Sequence, residues 1–201
     1  MAFELESYSI LRPTLWHLAD RANLPRIIET GELLPASALT EEPSCVPRRG
    51  NVVGKCGVRI RNQDLLNEKS VEIADGTFED FVANLNRRVF FWSGGPSAPV
   101  RSGVKAIEKY GHTDAIIRIP FRDLAKGHFP EFTECNSGAT RMQGGKRVPR
   151  CSLTFQAASV ASFGAADVVE VTFIGSVRLP QTTELRQSAD GKWVRLFAEA
   201  G

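Results

Sequence analysis

The chain has 201 residues, 42% of them hydrophobic and 24% charged, with a formal net charge of +2. These are globular values that exclude a disordered chain, and no apolar run reaches the roughly 18 residues of a membrane-spanning helix. So small a charge does not by itself indicate a nucleic-acid partner.

The opening residues Met1 to Arg12 carry Glu4 and Glu6 and lack the basic-then-apolar pattern of an export signal, which predicts a cytoplasmic protein. Leu15 to Leu18 is a short apolar run after Pro13 and reads as a strand. Asp20 and Asn23 are capping types, Pro25 suits a first helical turn, and Gly31 suits the position after the last turn. A compact strand–helix unit follows, with Leu24, Ile27 and Ile28 facing the core and Leu33 and Leu34 as the next anchor.

Residues 40–57 are rich in Pro, Gly and Arg and read as loop. Thr77 to Asn86 is the clearest helix. Thr77 with Asp80 has a capping pattern, and Phe78, Phe81, Val82 and Leu85 form one apolar stripe. Val89 to Trp92 reads as a buried strand ending at Ser93-Gly94-Gly95-Pro96. Val100 to Tyr110 reads as a helix, Ala115 to Ile119 as a strand stopped by Pro120, and Phe121 to Ala125 as a short helix.

Residues 127–150 form a second long irregular stretch around Asn136-Ser137-Gly138-Ala139. Ser152 to Phe155 is expected as a strand. Val168 to Ile174 is a strong, β-branched one, and weaker strands follow Gly175, including Trp193 to Phe197. Strands and helices mix without β-α-β alternation, so an α+β fold is expected rather than a doubly wound sheet. No linker divides the chain, and one domain over residues 1–201 is expected. Loops of this length are uncommon unless they serve a site.

Cys45, Cys56, Cys135 and Cys151 contain no C-x-x-C pair, and His17, His112 and His128 have no H-x-x-x-H spacing. Reduced cysteines and no metal centre are therefore expected. Three places could carry chemistry. Glu170 lies inside the strongest strand, where an ionisable side chain is solvated on an exposed face, paired or functional. His17 sits among apolar neighbours, as a hydrogen-bonded core histidine or a functional one. Phe91 and Trp92 read first as core packing. Two basic groups, Arg48, Arg49, Lys55, Arg59 and Arg61, and then Arg141, Lys146, Arg147 and Arg150, fall in loop segments. They are solvated loops, or donors for a phosphate-bearing ligand if they converge on one cleft.

The run from Leu15 to Leu34, with His17, Asn23-Leu24-Pro25 and Gly31-Glu32-Leu33-Leu34, resembles the opening of the DarT-type ADP-ribosyltransferases. It is also similar to a related uncharacterised bacterial family that carries a Val-Phe-Phe-Trp strand, here Val89 to Trp92. Val168 to Val177 resembles the late strand that holds the DarT-type catalytic glutamate. The resemblance implies an ADP-ribosyltransferase-like split β-sheet with flanking helices and an NAD-binding cleft, NAD being the substrate. His17 would hold the NAD ribose, Asn23 would lie near the nicotinamide side, and Arg61 or Arg59 would contact the diphosphate. Glu170 would be the catalytic carboxylate, with Phe91 or Trp92 stacking on nicotinamide. Arg147 and Arg150 would meet the acceptor, which is DNA, RNA, a protein or a small molecule; a toxin or defence effector would also have a neutralising antitoxin. The chain departs from the pattern where Asp20 replaces a second histidine and where Ser93-Gly94-Gly95 replaces an Asn-Pro-Arg segment. A non-catalytic nucleotide- or partner-binding domain of the same fold is the alternative.

Overall fold

The computed structural model describes residues 3–40, 54, 57–60, 66, 68–69, 71–138, 142–143 and 146–197, with the backbone alone for 142–143 and 146–147. Its helices are α1 (Leu5–Leu11), α2 (Leu24–Thr30), α3 (Phe78–Asn86), α4 (Arg101–Tyr110) and α5 (Phe121–Ala125). Its strands are β1 (Thr14–Asp20), β2 (Glu32–Leu33), β3 (Arg88–Gly94), β4 (Asp114–Pro120), β5 (Glu131–Thr133), β6 (Met142–Gln143), β7 (Lys146–Arg147), β8 (Gln156–Ala157), β9 (Glu170–Ile174), β10 (Val177–Arg178), β11 (Glu184–Arg186) and β12 (Val194–Arg195).

Eight strands form one sheet in the order β12-β11-β4-β1-β3-β9-β5-β8, and every pairing in it is antiparallel. The protein is thus mixed α/β with a large antiparallel sheet and several helices, as the irregular alternation of elements predicts. Among the described residues, no helix is long and apolar enough to cross a membrane.

Local chemistry sets the helix ends. Thr77 and Asp80 form a reciprocal capping box at the start of α3, satisfying amides that would otherwise lack partners. Gly31 closes α2 in the left-handed conformation, φ 67°, which costs glycine little. Asp20 caps a single 3-10 turn before α2, accepting from the Ala22 amide at 2.9 Å.

Three local expectations are corrected, and one element is added where none was expected. Ile28 is 47% exposed, because α2 turns only its Leu24–Ile27 face inward. Ser152–Thr154 is a 3-10 turn, not a strand; the Thr154 hydroxyl accepts from the Cys151 amide and so competes with extended pairing. The irregular stretch 127–150 contains β5, whose three residues are too few to show a period. The N-terminal residues form α1, which buries Tyr8 against Phe121 and Phe132.

The apolar side chains divide into separate clusters. The largest joins Leu15, Phe91, Ile117, Phe132, Val171 and Phe173 on one side of the sheet. A second lies under α3, with Phe81, Val82, Leu85 and Phe155 buried and Phe90 packed against them. A third joins Trp16, Leu18 and Ile116, with Trp92 and Trp193 alongside.

The turn after β3 has no room to spare. A Cβ on Gly94 would lie 2.5 Å from Pro99 Cα and 2.6 Å from the Ala98 carbonyl oxygen, whereas one on Gly95 would meet nothing within 4 Å. Gly94→Ala is therefore expected to lower unfolding stability by about 1–3 kcal/mol and Gly95→Ala by much less. Urea denaturation of the two variants checks this; equal losses would show that the turn yields.

Candidate functional site

The site begins where the sheet comes apart. β1 pairs with β3 only at Thr14–Gly94, Leu15–Ser93 and Trp16–Trp92. Beyond that point His17 to Asp20 stay paired with β4, and Arg88 to Phe91 stay paired with β9. Continued pairing would set Leu18 opposite Phe90. Leu18 instead packs with Trp16 and Ile116, while Phe90 packs with Phe155 in the cluster under α3. Each strand follows its own core, and a gap opens between them.

His17 spans the mouth of that gap. Its Nδ1 lies 2.8 Å from the Phe90 carbonyl oxygen. A carbonyl only accepts, so Nδ1 carries the proton, and in the neutral ring Nε2 is the acceptor nitrogen. The ring also packs at 5.4 Å from Phe91.

Glu170 opens β9, paired on one side with Trp92 and on the other with Thr133. It is 5% exposed, so it does not point to bulk water. Its Oε2 accepts from the Ser137 amide at 3.0 Å and the Ser137 hydroxyl at 2.7 Å. Among the described residues Oε1 has no hydrogen-bond partner, and Glu170 lines the cavity. Burial pushes the carboxyl up from 4.5 to about 7, against the opposing pull of the Ser137 hydrogen bonds and the Arg150 charge.

The cavity occupies the gap and has a volume of about 540 Å³. That lies within the roughly 300–1,000 Å³ of small-molecule and cofactor sites. His17, Asn23, Arg59, Phe91, Trp92 and Glu170 all line it. By register Glu170 falls in the alternate set from His17: Trp16, Trp92 and Glu170 share one face, and Leu15, His17 and Ala19 the other. A cavity can collect both sets because it lies where the sheet is interrupted.

At its α2 end the cavity is lined by Arg26 and Arg59 together with Asp20 and Glu32. The Asn23 side chain accepts from the Arg59 amide at 2.8 Å and donates to the Arg59 carbonyl at 2.8 Å. Its amide is thus used in fixing the segment that carries Arg59. The Arg59 guanidinium lies 3.7 Å from the Asp20 carboxylate. Arg26, one turn beyond Asn23, lines the same end.

Not every expected residue reaches the cavity. Arg150 is 2% exposed and sits behind the wall, its guanidinium donating to the Asn136 carbonyl at 3.1 Å. Its placement as an acceptor contact is corrected: its backbone is docked between Glu72 and Ala74, which turns the side chain inward. Arg147 lies on β7, with its side chain outside the described atoms. Arg61 lies outside the described residues, as do Arg48, Arg49, Lys55 and Arg141.

The structure also adds residues that the sequence reading gave no role. Ser137 holds Glu170, and the only trace of it in sequence is the Asn136-Ser137-Gly138 turn pattern. Arg88 lines the cavity while paired to Glu131 at 2.5 Å, and Lys109 and Tyr110 of α4 complete the wall. Among the described residues, no group of three or more His, Cys, Asp or Glu side chains could hold a metal ion.

Fold and cavity together define a mixed α/β protein with a concave site set into a split antiparallel sheet. The chain belongs to a family of unknown function, DUF7002, whose match spans residues 13–182 and so contains the whole described cavity. No curated protein matches the chain.

Because the folded carboxyl of Glu170 titrates above its ordinary value, the folded state holds this proton more tightly than the unfolded chain. This contribution is full below about pH 4.5 and is lost as pH rises through about 7. Glu170→Gln is therefore expected to be more thermostable than the parent at alkaline pH, with the advantage shrinking toward pH 4.5. Melting temperatures across pH check this; a difference independent of pH would mean that Glu170 does not titrate abnormally.

Proposed function

We propose that the protein is an NAD-dependent ADP-ribosyltransferase built on an ADP-ribosyltransferase-like split sheet, with Glu170 as its catalytic carboxylate. The observation that carries this reading is the meeting of His17, Asn23, Arg59, Phe91, Trp92 and Glu170 around one cavity at the sheet split. These residues come from distant parts of the chain; the resemblance singles out His17, Asn23 and Glu170 among them, and Arg59 as the alternative to Arg61, which lies outside the described residues.

The chemistry suits the arrangement. Breaking the bond between ribose C1′ and the nicotinamide ring nitrogen sends the electron pair to that nitrogen and releases neutral nicotinamide. The acceptor's nucleophilic atom then forms the new bond to C1′, and its proton passes to a carboxylate or to water. Positive charge builds on the ribose in the transition state, as in glycoside cleavage. Glu170, buried and lining the cavity, stabilises that charge when ionised. His17 lines the cavity and would hold a ribose hydroxyl. Arg59, with Arg26 beside it, offers charge for a diphosphate. β1 runs four residues from the Trp16 row to Asp20, about 13 Å at a strand's rise, so the anionic and reacting parts of one extended ligand can reach both ends.

The acceptor is set by what covers the cavity. A nucleic acid, tracked by the basic segments around Arg59 and Arg147, is the acceptor proposed, and a toxin of that type would have an antitoxin partner. A second reading, nucleotide or partner binding without turnover, draws on Asp20, which stands where the DarT pattern has a second histidine and pairs with Arg59.

Purified protein incubated with NAD and single- or double-stranded DNA, RNA or lysate is expected to release nicotinamide. Glu170→Ala should lower the rate about a hundredfold or more and leave NAD binding largely intact. The rate should rise with pH through about 7, since the ionised carboxyl acts. NAD binding without release would favour the second reading; absence of both would remove NAD from the account.

A further inference from the structure

We infer that Ser137 is the positioning residue of the Glu170 carboxylate, and that Arg150 in turn holds Ser137 in place. Its catalytic part rests on the transferase reading, but the placement does not.

The geometry is specific. Ser137 is 1% exposed and directs both its amide and its hydroxyl at the same oxygen, Oε2. Two donors on one oxygen fix the carboxylate's rotation and leave Oε1 without a hydrogen-bond partner among the described residues. The serine follows β5, and the segment is tied back by Thr133, whose Oγ1 lies 3.2 Å from Cys135 Sγ. From behind, the Arg150 guanidinium reaches the carbonyl of Asn136, the residue just before Ser137. Arg150 comes from a different part of the chain, held by Glu72 and Ala74 through its backbone. Glu170, Ser137 and Arg150 thus form a series in which only Glu170 and Ser137 line the cavity.

An arginine that does not reach the ligand cavity has a different job from a substrate-binding one. Here it stabilises a backbone carbonyl and places positive charge behind the carboxylate. Both donors and charge favour the ionised form of Glu170 and oppose the effect of burial. Among the described residues, the other charged or titratable groups are Cys135 beside β5 and, lining the cavity, His17, Asp20, Arg26, Glu32, Arg59, Arg88, Lys109, Tyr110 and Asp114.

The test is direct observation of the carboxyl. Carbon NMR of glutamate-labelled protein, with Glu170→Gln to assign the signal, gives the Glu170 titration midpoint in the full chain. Ser137→Ala is expected to raise that midpoint by about one unit, because a donor to the charged form is lost. Ser137→Thr, which keeps the hydroxyl, should restore it. Arg150→Lys keeps the charge but loses the guanidinium's hydrogen bond to the Asn136 carbonyl and should raise the midpoint less. In nicotinamide-release assays the pH profile should move in parallel, with kcat falling about tenfold or more in Ser137→Ala and KM for NAD little changed.

A Ser137→Ala protein that melts earlier but titrates as the parent does would overturn the inference and leave Ser137 as packing. An unmoved midpoint in Arg150→Lys would remove Arg150 from the series. If no variant, parent included, releases nicotinamide, the transferase reading fails, while the carboxyl titration still decides the positioning.

Discussion

Everything in the site follows from two strands being claimed by different cores. β1 and β3 pair up to Trp16 and Trp92 and then separate, because Leu18 belongs with Ile116 and Phe90 belongs under α3. An antiparallel ladder gains one backbone hydrogen bond per residue on average, so ending it early has a cost. Burial of Leu18 in one cluster and packing of the half-buried Phe90 against another offset that cost, since apolar area removed from water stabilises the fold. The His17 ring covers the point of separation by reaching the Phe90 carbonyl. The cavity is therefore a product of core packing.

Glu170 shows how such a cavity can hold an acid. Moving a carboxylate out of water is expensive unless hydrogen bonds and countercharge replace the lost hydration. Ser137 supplies two donors and Arg150 supplies charge at a distance, leaving the group poised near neutrality. Groups so poised are common at functional sites, because both protonation states are accessible at working pH. On the facing side, Trp92 packs against α4 at Gly103, where a Cβ would lie 2.9 Å from Trp92 Cγ. Strand, helix and turn are locked together around the carboxylate, which suits a site that must hold its geometry.

The arginines show that charge pattern alone misleads. Arg150 and Arg147 look alike in sequence, within one basic loop group. Arg150 is buried behind the cavity wall, holding a carbonyl, while Arg59 lines the cavity under the grip of Asn23 and the pull of Asp20. Asn23 and Asp20 are both capping types in sequence, but only Asp20 caps its own turn; Asn23 makes no capping bond and its side chain holds the distant Arg59 segment instead. A guanidinium's five donors suit either task, and only its surroundings decide which.

By itself the sequence determined the elements whose information is local. The Thr77–Asp80 box, the α3 stripe, the Gly31 cap and the apolar runs of β1, β3, β4 and β9 depend on neighbours within a few residues, and composition alone sets the globular class. It also marked His17 and Glu170 as polar residues in apolar strands, though alternation left open whether Glu170 met water. The three-residue β5 and the turn at Ser152–Thr154 were not legible, since so short a span carries no period and a single hydroxyl can redirect the backbone. Only the tertiary structure decided that the strands order as β4-β1-β3-β9, that β1 and β3 part after one turn of the pleat, and that Ser137 meets Glu170. Those contacts join residues far apart in the chain, and their energy comes from which apolar side chains share a core, a quantity that no local pattern encodes.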